Sequence, residues 1–258
     1  MEINILCVGD VVGGVGLGIL NKKLRSIKKL KGVDFTVVNG ENASGIGITP
    51  DQAEEIFAAG ADVITLGNHT WGRGEIKNYL DDCGYILRPA NYAPQVPGRG
   101  WGVFPCRGGD ICVMNLIGRC DMDFGPDNPF FAADRIIGEC GCKMIVADMH
   151  AEATSEKLAM GYYLDGRASV VFGTHTHVQT SDACVMEKGT GYITDLGMTG
   201  ARDSILGIKK ELSISRFLGN PHQRYVQAEG PGKIECALFT VESATGRCVA
   251  AEAMRVEE

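Results

Sequence analysis

The chain has 258 residues, 45% of them hydrophobic and 22% charged, which is typical of a globular protein and argues against a disordered one. Its net charge of −7 disfavours broad binding to a nucleic-acid backbone but is compatible with a small anionic substrate held by metal ions. No apolar run approaches the roughly 18–20 residues of a membrane span, and the first residues lack the layout of a secretory signal. We therefore expect a cytoplasmic protein without a membrane partner.

The first third of the chain alternates between apolar runs and segments with helical spacing. The predicted strands and helices lie at Ile3–Val8, about Leu17–Leu30, Phe35–Val38, from Pro50 onward and at Val63–Leu66. Thr49 is expected to cap the helix that begins at Pro50. This order is typical of a parallel sheet with crossover helices. The basic residues of segment 21–31 alternate with Leu and Ile at near-helical spacing, which favours a solvated helix face over a nucleic-acid patch.

The middle of the chain is rich in Pro, Gly and Asp, and the alternation resumes after it. The predicted elements are strands at Gly102–Pro105 and Ile111–Leu116, a helix at Ala132–Glu139, a strand at Lys143–Ala147, a helix at about Ser155–Tyr163 and a strand at Ser169–Phe172. The last third contains β-rich runs, for which we expect antiparallel pairing, at Ala183–Met186, Tyr192–Thr194, Ile234–Val241 and Val249–Met254. Without a linker or repeat, the sequence predicts one α/β domain over residues 1–258, with Asp203–Gly232 as a long surface excursion.

The ten cysteines do not form a recognisable metal-binding or disulfide pattern. No CxxC pair is present, and the closest two, Cys140 and Cys142, are separated by one residue. Four others lie inside apolar runs, where a thiol behaves as a small hydrophobic group: Cys7, Cys112, Cys184 and Cys236. We therefore interpret the cysteines as structural residues in a reducing compartment.

Short polar clusters follow five of the strand-like runs, and they take up four of the five histidines. The clusters contain Asp10, Glu41 with Asn42, Asn68 with His69, His150, and His175 with His177. The carboxyl ends of strands meet at one edge of an open α/β sheet, so these side chains are expected to lie together. In an extended segment, the i, i+2 spacing of His175 and His177 would place both side chains on one face.

The ligand chemistry of these clusters is mixed oxygen and nitrogen, with no thiolate. Such a set favours manganese, iron or zinc in an open catalytic site over a closed structural zinc site. Six or seven ligands favour two metal ions over one, and two ions are the usual arrangement for phosphoester hydrolysis.

A nucleotide-binding module is the alternative from another class, because the glycine-rich run from Gly9 to Gly18 follows a strand and opens a helix. The register of the glycines disagrees with the dinucleotide-binding motif G-x-G-x-x-G. A motif that starts at Gly14 requires glycine where Ile19 stands, and one that starts at Gly16 requires glycine where Asn21 stands. The run is therefore not interpreted as a nucleotide-binding loop.

The clusters resemble the calcineurin-like metallophosphoesterases, and in particular the YmdB-like phosphodiesterases. The matching segments are Asn39–Gly47, Gly67–Trp71, Asn115–Arg119, Asp148–Lys157, Gly173–Thr180 and Thr194–Gly200. The wider superfamily usually has aspartate as its bridging carboxylate, whereas Glu41 stands here, as in the YmdB-like branch. The resemblance spans nearly the whole chain and implies a sandwich of α/β/β/α layers, with two mixed sheets flanked by helices.

The resemblance also implies roles for the clustered residues. One metal ion would be held by Asp10, Glu41, Asn42 and His177, and the other by Glu41, Asn68, His150 and His175, with Glu41 bridging. Asn42 has an alternative role as a hydrogen-bond donor to Glu41. His69 would be the general acid that protonates the leaving group, and a metal-bridging hydroxide would be the nucleophile. Iron or manganese is favoured, with zinc as an alternative.

The implied activity is hydrolysis of small phosphodiesters, with 2′,3′-cyclic nucleotides as the favoured class and 3′,5′-cyclic nucleotides as a further one. A phosphomonoesterase and a metal-binding regulatory protein with little turnover are the alternatives. Around Ser44 and Gly45, backbone amides could approach an anionic substrate, or the loop could simply be a turn. Trp71, Arg119 and the segment Asp127–Phe131 are candidates for framing a base pocket. The resemblance further implies a homo-oligomer.

Overall fold

The computed structural model describes residues 1–122, 125–220 and 224–258. The strands in these ranges are β1 (Glu2–Val8), β2 (Asp10–Val11), β3 (Phe35–Asn39), β4 (Val63–Thr65), β5 (Ile86–Leu87), β6 (Trp101–Cys106), β7 (Gly109–Ile117), β8 (Met144–His150), β9 (Val170–Thr174), β10 (Cys184–Val185), β11 (Gly191–Ile193), β12 (Met198–Ala201), β13 (Gly232–Glu242) and β14 (Arg247–Glu257). The helices in the same ranges are α1 (Gly13–Lys31), α2 (Pro50–Ala59), α3 (Ile76–Asp82), α4 (Pro129–Cys140), α5 (Thr154–Leu164) and α6 (Lys210–Phe217).

The first sheet has eight strands, and its parallel part confirms the alternation predicted for the first third of the chain. Strands β1, β3, β4 and β5 run parallel, with α1 and α2 as the crossovers that join β1 to β3 and β3 to β4. Thr49 caps α2 through a reciprocal pair of hydrogen bonds with Gln52, as expected. On the other side of β1, strand β13 runs antiparallel and also pairs with β12 and β14.

The second sheet has six strands in the order β10-β11-β9-β8-β7-β6. Strands β7, β8 and β9 are parallel, and β6 is antiparallel to β7. The antiparallel pairing expected for the last third is confirmed for β13 with β14 and for β10 with β11. On its other side β11 runs parallel to β9, because the β10–β11 hairpin leaves β11 pointing in the direction of β9.

Two mixed sheets flanked by helices, as expected, make four layers. The core between the sheets is apolar and includes Ile5, Val37, Val146, Phe172 and Phe239, all at most 1% exposed. Side chains of α1 and α2 cover the outer face of the first sheet, and side chains of α4 and α5 cover the outer face of the second. Burial on both faces explains why the parallel strands are nearly continuous apolar runs. One domain over residues 1–258 stays a prediction.

Helix α1 begins at Gly13, four residues before the predicted start at Leu17, so much of the glycine-rich run is helical. Glycine is needed here for close packing, because a side-chain carbon on Gly16 would collide with the Thr199 carbonyl of β12. The basic residues of α1 form the solvated face that was predicted: Lys22, Lys28 and Lys31 make ion pairs with acidic side chains.

The structural interpretation of the cysteines holds for Cys7, Cys112 and Cys236, which are buried, but is wrong for Cys184. Cys184 is exposed because it lies in β10, a two-residue strand at the edge of the second sheet with both residues exposed. Within the described residues all ten cysteines are free thiols.

The segment Asp203–Gly232 is more than the surface excursion that was predicted. It contains α6, and several of its side chains, Leu206, Ile208, Tyr225 and Gln227 among them, line a cavity described below. Residues 221–223 of this segment lie outside the described residues. No helix in the described part of the chain is long and apolar enough to cross a membrane.

Candidate metal centre

The polar clusters meet where the carboxyl ends of strands from both sheets converge. Asp10 opens β2 directly after β1, Glu41 and Asn42 follow β3, and Asn68 follows β4 in the first sheet. From the second sheet, His150 ends β8, and His175 and His177 follow β9. The prediction that these side chains lie together is confirmed by contacts that link all seven.

His150 is at the centre of the first group of side chains. Its Nε2 atom lies 2.9 Å from Asn68 Oδ1, 3.1 Å from Glu41 Oε1 and 3.1 Å from His175 Nδ1. Ligand atoms of Glu41, His150 and His175 all lie within 4.8 Å of one another, a spacing at which one metal ion can bind all three. Asn68 adds an oxygen to the same group.

The second group surrounds His177. Its Nε2 atom lies 3.2 Å from Asn42 Nδ2 and 3.7 Å from Asp10 Oδ1. The Asn42 amide nitrogen also lies 3.1 Å from Glu41 Oε1, so Asn42 is oriented as a donor to Glu41. This orientation matches the alternative role of Asn42 as a hydrogen-bond donor to Glu41. The Asn42 Oδ1 atom would face the cluster only if the side-chain amide rotated by half a turn.

The residues present fit a metal ion, because polar atoms in the cluster lack hydrogen-bond partners. Asp10 is fully buried, and neither its Oδ1 atom nor the inaccessible Nδ1 atom of half-buried His177 has a hydrogen-bond partner among the described residues. A buried carboxylate oxygen without a partner is costly, and coordination to a cation is one way to satisfy it.

The electrostatics of the cluster also favour a cation. Burial alone would lower the pKa of His150, but the carboxylates of Glu41, Asp10 and Asp148 outweigh burial and raise it to about 9. Burial alone would raise the pKa of Glu41, but the His150 imidazole outweighs it and lowers the pKa to about 2. Burial, together with His150, lowers the pKa of His175 to about 3, so His175 is neutral near pH 7 and offers a lone pair.

Four residues of the cluster, Glu41, Asn42, His175 and His177, line a cavity of about 790 Å³. His69, Ser44 and Gly45 also line it, as do the cationic side chains of Arg73 and Arg224. The amide hydrogens of Ser44 and Gly45 are already donated to the carbonyls of Gly47 and Asn42, and Gly45 has φ of 83°. These two amides are therefore donated within a turn, whereas both residues line the cavity, so their role as substrate contacts stays a prediction.

The residues suggested for a base pocket do not line this cavity. The Trp71 ring instead packs against Tyr92, with 5.1 Å between ring centroids, and Arg119 donates its backbone amide to Glu156. Asp127, Asn128 and Phe131 line a different cavity. The interpretation of these residues as the frame of a base pocket is therefore wrong for the cavity at the metal centre.

The family described as YmdB-like protein matches the chain over residues 6–254. The chain belongs to this family. It is 42% identical to a 2′,3′-cyclic-nucleotide 2′-phosphodiesterase of Bacillus subtilis, over 99% of this chain and 98% of the relative. Among solved structures, it resembles a novel phosphatase of Mycoplasma pneumoniae (TM-score 0.94, 31% identity, 100% of this chain and 94% of the other). A hypothetical protein of Thermus thermophilus is also similar (TM-score 0.92, 38% identity, 99% and 100%).

In this YmdB-like protein, His150 is oriented by side chains that the sequence patterns did not single out. Thr174 Oγ1 donates to Asp148 Oδ1 at 2.7 Å, so its own acceptor capacity faces His150 Nδ1 at 2.8 Å. His150 Nδ1 therefore carries the proton, and in the neutral ring Nε2 presents its lone pair to the cluster. Asp148 could have been predicted from the sequence, because it precedes His150 by two residues and side chains with that spacing in a strand point to the same face. No comparable sequence pattern points to Glu152, whose Oε2 atom lies 3.2 Å from His175 Nε2.

The segment from His175 to His177 is a turn, so the expectation of an extended segment with both histidines on one face is wrong. Strand β9 ends at Thr174, and His175 and His177 have φ of 99° and 63°, in the left-handed region that side chains rarely adopt. Asp195 Oδ2 holds the residue between them, because it accepts hydrogen bonds from Thr176 N at 3.2 Å and Thr176 Oγ1 at 2.7 Å.

A buried ion pair supports this turn. Lys157 Nζ lies 2.7 Å from Asp195 Oδ2, and both side chains are 1% exposed. Removing one partner of a buried pair leaves an uncompensated charge, which is strongly destabilising. Lys157 thus neutralises the carboxylate that holds Thr176 and stabilises the histidine turn.

We expect Lys157→Met to lower the free energy of unfolding by about 3 kcal/mol, because Asp195 is then left buried without its cation. Urea denaturation of the metal-loaded protein measures the change. Lys210→Met is the matched control: the Lys210–Asp203 pair is exposed, and its loss should leave the stability essentially unchanged. Equal effects of the two substitutions would contradict the role given to Lys157.

We expect Gly67→Ala to reduce metal binding strongly, because the added carbon would collide with His150 Nε2 and Glu41 Oε2. Metal content per chain after purification without chelators measures the effect. Gly74→Ala lies in the same loop with no heavy atom within 4 Å of the added carbon, and it should keep the wild-type metal content. Wild-type metal content in Gly67→Ala would show that the cluster is not the binding site.

Proposed function

We propose that this protein is a metal-dependent phosphodiesterase that hydrolyses 2′,3′-cyclic nucleotides, with 3′,5′-cyclic nucleotides as a further class. The observation that carries the proposal is the convergence of Glu41, Asn68, His150 and His175 in one cluster, of which Glu41 and His175 line a cavity of about 790 Å³. The name of the Bacillus subtilis relative, at 42% identity, supports the diester class. The names of the relatives also make the broader class plain: the protein is a hydrolase of phosphate esters.

Two metal ions per chain are proposed, with iron or manganese favoured and zinc as an alternative. Asp10, Glu41, Asn42 and His177 would hold one ion, and Glu41, Asn68, His150 and His175 the other. When bound, the ions neutralise charge on the phosphate oxygens and make water nucleophilic near neutral pH. Asp10 Oδ1, which has no hydrogen-bond partner among the described residues, and the carboxylates that surround His150 support this assignment.

The protein's own side chains would then bind and protonate the substrate. His69 lines the cavity directly beside Asn68, and its backbone amide is fixed by a 3.0 Å hydrogen bond to Glu41 Oε2. From this position its imidazole is proposed to donate a proton to the leaving oxygen, as a general acid. Arg73 and Arg224 offer positive charge to the phosphate from the wall of the same cavity.

A phosphomonoesterase is the second candidate, because the similar Mycoplasma pneumoniae structure is described as a novel phosphatase. The metal cluster would serve both reactions, and only the substrate preference separates them. A regulatory protein with little turnover is the third candidate carried from the sequence. Cytoplasmic location and a homo-oligomeric state stay predictions.

We expect the metal-loaded protein to hydrolyse the diesters 2′,3′-cAMP and bis-p-nitrophenyl phosphate faster than the monoester p-nitrophenyl phosphate. The rate on 3′,5′-cAMP, compared with that on 2′,3′-cAMP, shows which class of cyclic nucleotide is preferred. Treatment with EDTA should abolish all turnover, and manganese or iron should restore it, because the proposed chemistry requires metal. Turnover of the monoester alone would favour the phosphatase. A metal-loaded sample that turns over none of these substrates would favour the regulator.

His69→Ala should lower kcat for 2′,3′-cAMP by about 10²–10⁴-fold, the usual contribution of a general acid, while metal content stays unchanged. Asn68→Ala is the contrasting variant, because it removes an oxygen from the metal cluster and should lose metal as well as activity. Full activity of metal-loaded His69→Ala would rule out the proposed general acid.

A further inference from the structure

A second cavity, of about 820 Å³, lies apart from the metal centre. Among residues 1–122, 125–220 and 224–258 it shares no lining residue with the first cavity. Within the part of the chain that the structure describes, three arginines, Arg88, Arg99 and Arg135, line it together with a single acidic residue, Asp127. Such a local excess of positive charge is unusual in a chain with a net charge of −7.

Arg88 is the most informative of these residues, because its cationic side chain is only 5% exposed. Its guanidinium donates to the backbone carbonyls of Pro89, Val96 and Pro97. Among the described residues no carboxylate lies within ion-pair distance of Arg88. Burial lowers the pKa of Arg88, and the more distant Asp81 carboxylate only partly opposes this effect. A buried charge without a counter-charge in contact is costly to maintain, and an anion bound in the cavity would offset that cost.

The rest of the cavity wall extends the positive potential. Arg99 is exposed and has no carboxylate partner within the described residues, while Arg135 makes only an exposed contact of 3.6 Å with Glu139. Helix α4 directs its N-terminus here, since Asn128, which caps it, and Phe131 in its first turn both line the cavity. A helix N-terminus favours an anion through its dipole.

Aromatic side chains complete the wall. Tyr92, Trp101 and Phe131 line the cavity, and the Phe131 ring is 70% exposed although it sits on a concave surface. Rings of this kind stack on flat bases, whereas arginines pair with phosphate. A cavity that combines the two fits a ligand with one phosphate group and one flat ring.

We propose that this cavity is a second ligand site, distinct from the metal centre, that binds a nucleoside monophosphate. Arg88, Arg99 and Arg135 would face the phosphate, and Trp101 and Phe131 would contact the base. The site makes no use of the metal cluster, so binding here does not depend on the activity proposed above.

Trp101 allows the site to be tested directly, because the chain has only two tryptophans, Trp71 and Trp101. In a Trp71→Phe variant of the metal-loaded protein, AMP should change the Trp101 emission saturably. Adenosine lacks the phosphate and inorganic phosphate lacks the base, so each should bind more weakly than AMP. Addition of EDTA should leave the AMP midpoint unchanged.

Replacing Arg99 and Arg135 together with serine, in the same background, should weaken AMP binding about tenfold or more. The control is Lys29→Ser with Lys77→Ser, which removes the same charge from exposed positions elsewhere and should leave the midpoint unchanged. An unchanged midpoint in the arginine variant, the absence of a saturable signal, or its loss with EDTA would each overturn the proposal.

Discussion

Burial of carboxylates around one histidine is the constraint on which the rest of the site depends. Asp10, Glu41 and Asp148 are at most 1% exposed, and their combined field raises the pKa of His150 to about 9. Carboxylates so close together are stable only if positive charge or hydrogen-bond donors lie between them. The fold meets this demand by bringing strand ends from two sheets to one place. The electrostatic field of these buried carboxylates lowers the stability of the cluster by itself and favours the binding of a cation to it.

The contacts behind the cluster are as specific as those within it. Thr174 and Asp148 fix the ring of His150, and Asp195 with Lys157 holds a turn whose histidines have left-handed backbone conformations. Strain of this kind persists only where the surrounding structure enforces it, and it concentrates at functional sites. The buried ion pair is therefore part of how the metal centre is built, although neither Lys157 nor Asp195 lines the cavity.

Much of this architecture could be predicted from local sequence, because apolar runs of strand length and polar residues at strand ends are local signals. That reasoning gave the parallel strands, the four-layer class through the family resemblance, and a cluster that contains Glu41, His150 and His175. It failed where distant segments decide the outcome. The turn at His175 depends on Asp195, and the early start of α1 depends on close packing of Gly16 against β12. The second cavity joins residues 88–101 to α4, so no single window of sequence reveals it.

The converging strand ends are proposed to form a centre for two metal ions. The most direct measurement is a crystal structure of the metal-loaded protein, with anomalous data collected at the absorption edges of manganese, iron and zinc. We expect two anomalous peaks, one among Asp10, Glu41, Asn42 and His177 and the other among Glu41, Asn68, His150 and His175. A single peak would contradict the two-metal centre, and peaks elsewhere in the fold would contradict the cluster as the metal site.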